Sequence, residues 1–159
     1  MRSGVDVCQE PAVARTRRRE LFRLQLPVLA VIAVGGGLGA EARYGISLLL
    51  PTMPGHFPWA TFVTNVSGCL CIGALMVLIT EVWSAHRLLR PFLGVGVLGG
   101  FTTFSTYAVE IRGLLQPGSV AVAFGYLGGT VVCALLAVIV GVALTRWATG
   151  AVRRAGRGA

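Results

Sequence analysis

Four long apolar runs constrain this chain more than any other feature. They cover Leu26–Leu50, Trp59–Val82, Leu88–Leu115 and Ser119–Trp147, numbered here as spans 1 to 4. A helix needs about 20 apolar residues to cross the hydrocarbon core of a bilayer, and each run is long enough. Because the connecting loops are short, and those at 51–58 and 116–118 contain Pro and Gly, consecutive helices should be antiparallel neighbours. The sequence predicts an all-α integral membrane domain, residues 26–147, with four transmembrane helices.

The composition agrees with a membrane protein and excludes an ordinary soluble enzyme. The chain is 55% hydrophobic and 13% charged, whereas soluble chains carry about 25% charged residues. All 14 basic residues are Arg, and they flank the apolar runs. A nucleic-acid surface would need basic and aromatic residues interleaved on one folded face, so we expect no nucleic-acid partner.

The arginines also predict the orientation of the chain. Residues 1–25 form a basic segment that we expect to be a disordered cytoplasmic tail, and residues 148–159 form a second basic tail. With four spans, twelve arginines lie on the side of the two termini, and only Arg112 and Arg43 face the other side. The positive-inside rule then places both termini in the cytoplasm, in a plasma membrane of bacterial type.

The residues that most often build catalytic or metal sites do not form one in this sequence. The mid-membrane Cys69 and Cys71 have no histidine or carboxylate near them in sequence, and the two histidines fall in separate loops. These residues are Cys8, Cys69, Cys71, Cys133, His56 and His86. No nucleophile and base pair can be assembled, so we expect a protein that is not an enzyme.

Glycines recur at four-residue spacing within the spans. The pairs are Gly35/Gly39, Gly96/Gly100 and Gly125/Gly129. Two stretches also match a dinucleotide-binding pattern by letter, but that pattern works only between a strand and a helix. Small residues at this spacing let membrane helices approach closely, so we interpret the pairs as packing faces.

The middle of span 3 is poorly suited to a continuous helix. It reads Gly99-Gly100-Phe101-Thr102-Thr103-Phe104-Ser105-Thr106-Tyr107, with two glycines before two β-branched threonines. We expect a break near residues 99–103. Irregular backbone at membrane depth survives only inside protein or along a cavity, where its carbonyls bind cations and its amides bind anions. A role of these hydroxyls as contacts between helices remains the alternative.

The other polar residues at this depth are mostly neutral hydrogen-bond donors. Asn65 lies in span 2, and Tyr126 and Thr130 share one face of span 4. No Lys, Asp or Glu lies at mid-span, whereas a cation-coupled pump usually needs an interior carboxylate. Neutral donors and the positive edges of aromatic rings suit a small anion.

At these residues the sequence resembles the CrcB/Fluc family of fluoride channels, over roughly residues 29–147. The matching pieces are Gly36–Ala40 with Arg43-Tyr44, Phe57-Pro58 with Thr61 and Asn65-Val66-x-Gly68, Gly99–Thr106 with Glu110, and Tyr126. The run Gly-Gly-x-Thr-Thr-Phe-Ser-Thr is a specific signature.

The resemblance implies an antiparallel, dual-topology dimer with two pores that export cytoplasmic fluoride passively. It also implies a structural sodium ion at the dimer centre, bound by the backbone carbonyls of Gly99 and Thr102. A two-fold axis in the membrane plane would bring a mid-membrane break next to its own copy, which agrees with this position.

The resemblance also assigns the side chains of the fluoride pathway. The pore would be lined by Asn65, Phe104, Ser105, Thr106, Tyr107, Tyr126 and Thr130, and Arg43 would draw anions into a vestibule. Two positions depart from the family pattern: Tyr107 stands where the family usually has Phe, and Thr130 where Ser is more usual.

Three alternatives remain open at this point. The arginine bias is unusual for a subunit that inserts both ways, so a heterodimer with an oppositely oriented paralogue competes with the homodimer that we expect. A small multidrug exporter would need an embedded Glu in span 1; the one candidate, Glu41, lies two residues from Arg43, which would repel a cationic drug. A non-transporting assembly protein could be held together by the glycine faces alone.

Overall fold

The structure is a computed structural model that describes residues 12–82 and 87–155, with side chains described for 25–82 and 87–150. Residues 1–11 and 156–159, which belong to the two predicted tails, lie outside the described residues. Cys8 and His86 lie outside them as well.

Helices make up most of the described ranges, in which no β-strand occurs. The α-helices are α1 (Ala12–Leu49), α2 (Trp59–Val77), α3 (Leu98–Phe101), α4 (Ser105–Leu114) and α5 (Val120–Ala155). Two segments have the wider π-helical turn, Leu78–Val82 after α2 and Pro91–Val97 before α3.

Four helical stretches are long and apolar enough to cross a membrane. They are Gln25–Leu49, Trp59–Val82, Pro91–Leu114 and Val120–Gly150. The predicted all-α, four-span architecture is therefore confirmed, and the chain is a multi-pass membrane protein.

The first helix begins well before the predicted span. It starts at Ala12, inside the segment assigned to the N-terminal tail. Residues 12–25 contain neither Gly nor Pro, and Ala, Arg, Leu and Gln are strong helix formers. Helix formation therefore does not stop at the apolar boundary.

The helices pack as two neighbouring pairs, in which α2 lies along α5, and α1 lies along Pro91–Val97 and α3. Glycine permits the second contact. A Cβ atom on Gly35 would lie 2.6 Å from the carbonyl oxygen of Phe92, and one on Gly100 would run into the carbonyl of Gly36. Gly35 and Gly39 on span 1 and Gly96 and Gly100 on span 3, each pair predicted as a packing face, lie in this contact, whereas Gly125 and Gly129 face open space.

The interior of the chain is small. Only 11% to 28% of the residues in the most apolar window of each span are buried. One cluster of buried residues holds α4 to α5, built on Tyr107, Leu114, Ala123 and Tyr126. Most apolar side chains of the spans therefore lie on the outside of the chain.

Candidate functional site

The third span is interrupted at three residues. Helix α3 ends at Phe101, Thr102 is extended with φ −77° and ψ 155°, and α4 begins at Ser105. The backbone groups of these residues cannot all bond within a helix, so they need partners elsewhere.

Asn65 supplies two of those partners. Its Nδ2 donates to the carbonyl oxygen of Thr103 at 2.9 Å, and the Thr103 N–H donates to its Oδ1 at 2.8 Å. In a continuous helix the Thr103 N–H would instead bond to the carbonyl of Gly99, four residues back. The Thr103 N–H, which would have bonded to the Gly99 carbonyl, therefore bonds to the Asn65 carboxamide instead.

The Thr103 side chain has a matching role at the start of α4. Its Oγ1 accepts from the N–H of Thr106 at 3.2 Å, as a capping residue does three positions before its donor. It also donates to Thr106 Oγ1 at 3.0 Å. The Thr106 N–H would otherwise bond to the carbonyl of Thr102. Two carbonyls, those of Gly99 and Thr102, thus have their helical donors engaged elsewhere.

A cavity of about 330 Å³ lies beside the interruption; we call it the break cavity. Six of the residues singled out in the sequence line it, namely Asn65, Gly99, Thr102, Phe104, Tyr107 and Thr130. The structure therefore brings together residues from spans 2, 3 and 4 that are far apart in sequence.

Phe104 and Tyr107 border this cavity in different ways. The Phe104 side chain projects outward and is 79% exposed, and its ring centroid lies 5.8 Å from that of Tyr107. The Tyr107 hydroxyl donates to the backbone carbonyl of Leu127 in α5 at 2.6 Å. The hydroxyl that distinguishes Tyr107 from Phe is therefore engaged by a neighbouring helix.

Thr130 contributes an unsatisfied hydroxyl to the cavity wall. The residue is 4% exposed, and its Oγ1 is the one buried side-chain polar atom among the described residues without a hydrogen-bond partner. Leaving a buried polar group unpaired costs about 1–3 kcal/mol. Such a group is a candidate for contact with a bound acceptor.

A second cavity of about 310 Å³ is lined by Arg43, Thr106 and Glu110 among others; we call it the arginine cavity. Thr103 lines both this cavity and the break cavity. A third cavity of about 320 Å³, the loop cavity, includes His56 and shares Glu110 with the arginine cavity.

Glu110 is held by two hydroxyls. Thr61 Oγ1 donates to its Oε1 at 2.9 Å, and Tyr126 donates to its Oε2 at 2.7 Å. Tyr126 is fully buried, at 0% exposure, and is not among the residues that line the break cavity. Its hydroxyl is therefore committed to the Glu110 carboxylate.

The remaining site residues lie apart from the break cavity. Ser105 is exposed, with its Oγ 3.3 Å from Thr103 Oγ1. Arg43 and Thr106 belong to the arginine cavity. Sequence reasoning did not assign roles to Thr61, Thr103 and Glu110, although a carboxylate within an apolar span was a usable signal for Glu110.

Together these features define a class: a multi-pass membrane protein with polar cavities along an interrupted helix. Residues 30–142 match the family described as "CrcB-like protein, Camphor Resistance (CrcB)". The chain belongs to this family, which confirms the resemblance found in the sequence.

Individual relatives are similar over most of the chain. A protein named fluoride-specific ion channel FluC 2 from Nocardia farcinica is 65% identical over 127 residues, which cover 80% of this chain and 91% of the relative. The FluC 2 protein of Streptomyces avermitilis is 56% identical over 124 residues, covering 76% of this chain and 78% of the relative. The FluC 1 protein of Streptomyces coelicolor is 58% identical over 120 residues, covering 76% and 78%.

Proposed function

We propose that this chain is the subunit of a fluoride-selective ion channel that lets cytoplasmic fluoride leave the cell passively. The relatives named as fluoride-specific channels support this function. The observation that carries it is the break cavity, which is lined by Thr130, with its partnerless hydroxyl, together with Asn65, Phe104 and Tyr107.

The chemistry of the cavity wall favours a small anion. One N–H of Asn65 Nδ2 is used by Thr103, and a primary amide has two such donors. The Thr130 hydroxyl adds a donor, and aromatic edges are weakly positive. Such groups can replace the water around fluoride without binding the ion as tightly as a fixed positive charge would. Arg43, in the arginine cavity, supplies the positive charge that attracts anions towards the pathway.

The proposed assembly is an antiparallel dimer in the plasma membrane. Phe104 is 79% exposed and a Cβ on Gly99 would meet no atom within 4 Å, so the break is open on one side. A second chain in the opposite orientation would cover it. We propose a homodimer. The alternative partner is an oppositely oriented paralogue, because the arginine distribution favours a single orientation of this chain, with its termini in the cytoplasm.

The backbone carbonyls at the break are suitable ligands for a structural sodium ion. The carbonyls of Gly99 and Thr102 are those whose helical donors are engaged by Asn65 and Thr103, and carbonyl oxygens are suitable ligands for hard cations. Two carbonyls from each subunit would give four oxygens. When bound, sodium would supply positive charge that holds the two interruptions together.

Fluoride efflux from proteoliposomes tests the proposal. The purified chain is reconstituted alone in vesicles loaded with potassium fluoride, and efflux is followed with a fluoride electrode after addition of valinomycin. Vesicles loaded with chloride and protein-free vesicles are the controls. We expect fluoride efflux with little chloride efflux, and flux from the chain alone supports the homodimer. Absence of fluoride flux, both alone and with an oppositely oriented paralogue, would contradict the channel.

Two substitutions separate the channel from its rivals. Phe104→Ala should lower fluoride flux strongly, whereas a non-transporting assembly protein has no flux to lose. Glu41→Gln should leave the flux within about twofold of wild type, although a multidrug exporter would depend on that carboxylate. Proton-driven uptake of a quaternary ammonium drug, abolished by Glu41→Gln, would instead favour the exporter.

A further inference from the structure

We infer that Thr103 is a positioning residue of the ion pathway: it separates the break cavity from the arginine cavity and fixes the direction of the Thr106 hydroxyl. The inference rests on the proposed channel function, since it concerns how an anion would pass between the two cavities. Nothing in the sequence pattern assigned this role to Thr103, which stands between the residues expected to bind sodium and fluoride.

The first observation is the position of Thr103. Within the parts of the chain that the structure describes, Thr103 alone lines both the break cavity and the arginine cavity. It is 8% exposed, and both its backbone N–H and its carbonyl are bonded to Asn65. Because Thr103 lines both cavities, an ion that moves between them passes next to it. Its two backbone hydrogen bonds hold it in a fixed position there.

The second observation is the direction of its hydrogen bonds. Thr103 Oγ1 accepts the Thr106 N–H and donates its own proton to Thr106 Oγ1 at 3.0 Å, a shorter contact than the 3.3 Å to Ser105 Oγ. A hydroxyl has one proton to donate, so the Thr103 proton is used within the protein. Thr106 Oγ1, having accepted it, presents its own proton in a different direction, and Thr106 lines the arginine cavity.

These two observations define an indirect role. Thr103 does not offer its proton to the anion; it orients the donor that does. The methyl group of Thr103 has no part in this arrangement, and the hydroxyl carries all of it. The role of the hydroxyl is therefore separable from the size of the side chain.

The experiment compares substitutions that separate these contributions in the reconstituted full chain. Thr103→Val keeps the shape and removes the hydroxyl, and Thr103→Ser keeps the hydroxyl and removes a methyl group. Thr145→Val is the matched control, because the Thr145 hydroxyl bonds only to the Gly141 carbonyl of its own helix at 2.8 Å, away from the cavities. Assembly of each variant is checked by size-exclusion chromatography in detergent.

We expect Thr103→Val to lower the fluoride efflux rate by about tenfold, the factor that corresponds to one lost hydrogen bond at the upper end of the usual range. Thr103→Ser and Thr145→Val should stay within about twofold of wild type. If Thr103→Val does not assemble, Thr103→Cys, with a much weaker donor, takes its place with the same expected loss.

A double substitution tests whether Thr103 acts through Thr106. Because removal of the Thr106 hydroxyl leaves Thr103 nothing to orient, Thr106→Val and Thr103→Val/Thr106→Val should show the same flux. Losses that multiply in the double variant would overturn the inference. Wild-type flux in Thr103→Val, or an equal loss in Thr103→Ser, would also overturn it while leaving the channel function intact. A wild-type chain without fluoride flux would instead defeat the proposed function itself.

Discussion

The carboxamide of Asn65 bonds to both backbone groups of Thr103, donating at 2.9 Å and accepting at 2.8 Å across a separation of 38 residues. The side chain on span 2 thereby replaces the helical partners that span 3 loses at its interruption. The geometry of the break is consequently determined by a contact between spans as well as by the residues of the break.

Replacing Asn65 should destabilise the fold. Asn65→Leu is similar in size but leaves the N–H and carbonyl of Thr103 unpaired, at a cost of about 1–3 kcal/mol for each group. Thermal unfolding in detergent should show a clearly lower midpoint. Ser67→Ala is the control on the same helix, because its hydroxyl bonds to the Val63 carbonyl, and it should change the midpoint little. Equal midpoints for Asn65→Leu and wild type would contradict the role given to Asn65.

Sodium should raise the unfolding midpoint of the wild-type chain, and it should raise the midpoint of Asn65→Leu by less. Without the carboxamide, the interruption loses the contact that fixes its geometry, so the Gly99 carbonyl, a proposed sodium ligand, is held less firmly. A ligand that binds the folded state raises the unfolding midpoint with concentration. The measurement is the midpoint as a function of sodium chloride concentration, with potassium chloride at equal ionic strength as the control. Equal sodium dependence in both proteins would argue against this coupling.

The Tyr107 hydroxyl should matter for stability and not for conduction. Tyr107→Phe removes the bond to the Leu127 carbonyl and should cost about 1 kcal/mol of unfolding free energy, while fluoride efflux stays within about twofold of wild type. Tyr107→Leu also removes the ring beside Phe104 and should lower the efflux rate strongly. A large loss of flux in Tyr107→Phe would show that the hydroxyl belongs to the pathway.

Substitution by alanine should have different effects on stability at two glycines of α1. A Cβ on Gly39 would collide with the carbonyl of Val97, whereas one on Gly37 would meet no atom within 4 Å. Gly39→Ala should therefore force the two spans apart and lower the unfolding midpoint or prevent assembly. Gly37→Ala should be neutral or stabilising, by up to about 1 kcal/mol from helix propensity. The same result for both positions would contradict the packing of α1 on Pro91–Phe101.

The carboxylate of Glu110 should be hard to replace. Glu110→Gln turns one acceptor into an amino group that faces a hydroxyl of Thr61 or Tyr126, and the displaced donor should cost about 1–3 kcal/mol. Glu81→Gln is the matched control, because Glu81 pairs with Arg146 at 2.7 Å where both side chains are well exposed, and exposed pairs contribute about 0–1 kcal/mol. Chemical unfolding should show Glu110→Gln to be clearly less stable than Glu81→Gln, and equal stability would contradict the role given to the Thr61 and Tyr126 contacts of Glu110.

The membrane architecture was predictable from the sequence because run length and hydropathy are local properties. Span 2 was expected over Trp59–Val82, and the structure has the same stretch. That Gly35 and Gly96 lie on packing faces also followed from spacing, since four-residue repeats place small residues on one helix face. Their contact with each other was not predicted.

The hydrogen bonds of the site were not predictable in the same way. Thr61 and Glu110 are 49 residues apart, and their contact depends on how the spans pack. The sequence marked Asn65 and Tyr126 as interior polar residues, but it did not show that Asn65 would bond to a backbone or that Tyr126 would bond to a carboxylate. The direction of the Thr103 hydroxyl is a further example, because a row of hydroxyls in sequence does not specify which one donates.

The small interior of the chain has a consequence for any measurement of its stability. With at most 28% of a span's most apolar window buried, most of the contact area of each helix is with whatever surrounds it, whether lipid or another copy. When association contributes to order, the folded fraction depends on protein concentration. In a bilayer the relevant concentration is the number of chains per lipid. Reconstitution at increasing lipid dilution should therefore lower the apparent stability of the folded chain step by step. The stabilities of variants can be compared only at the same dilution.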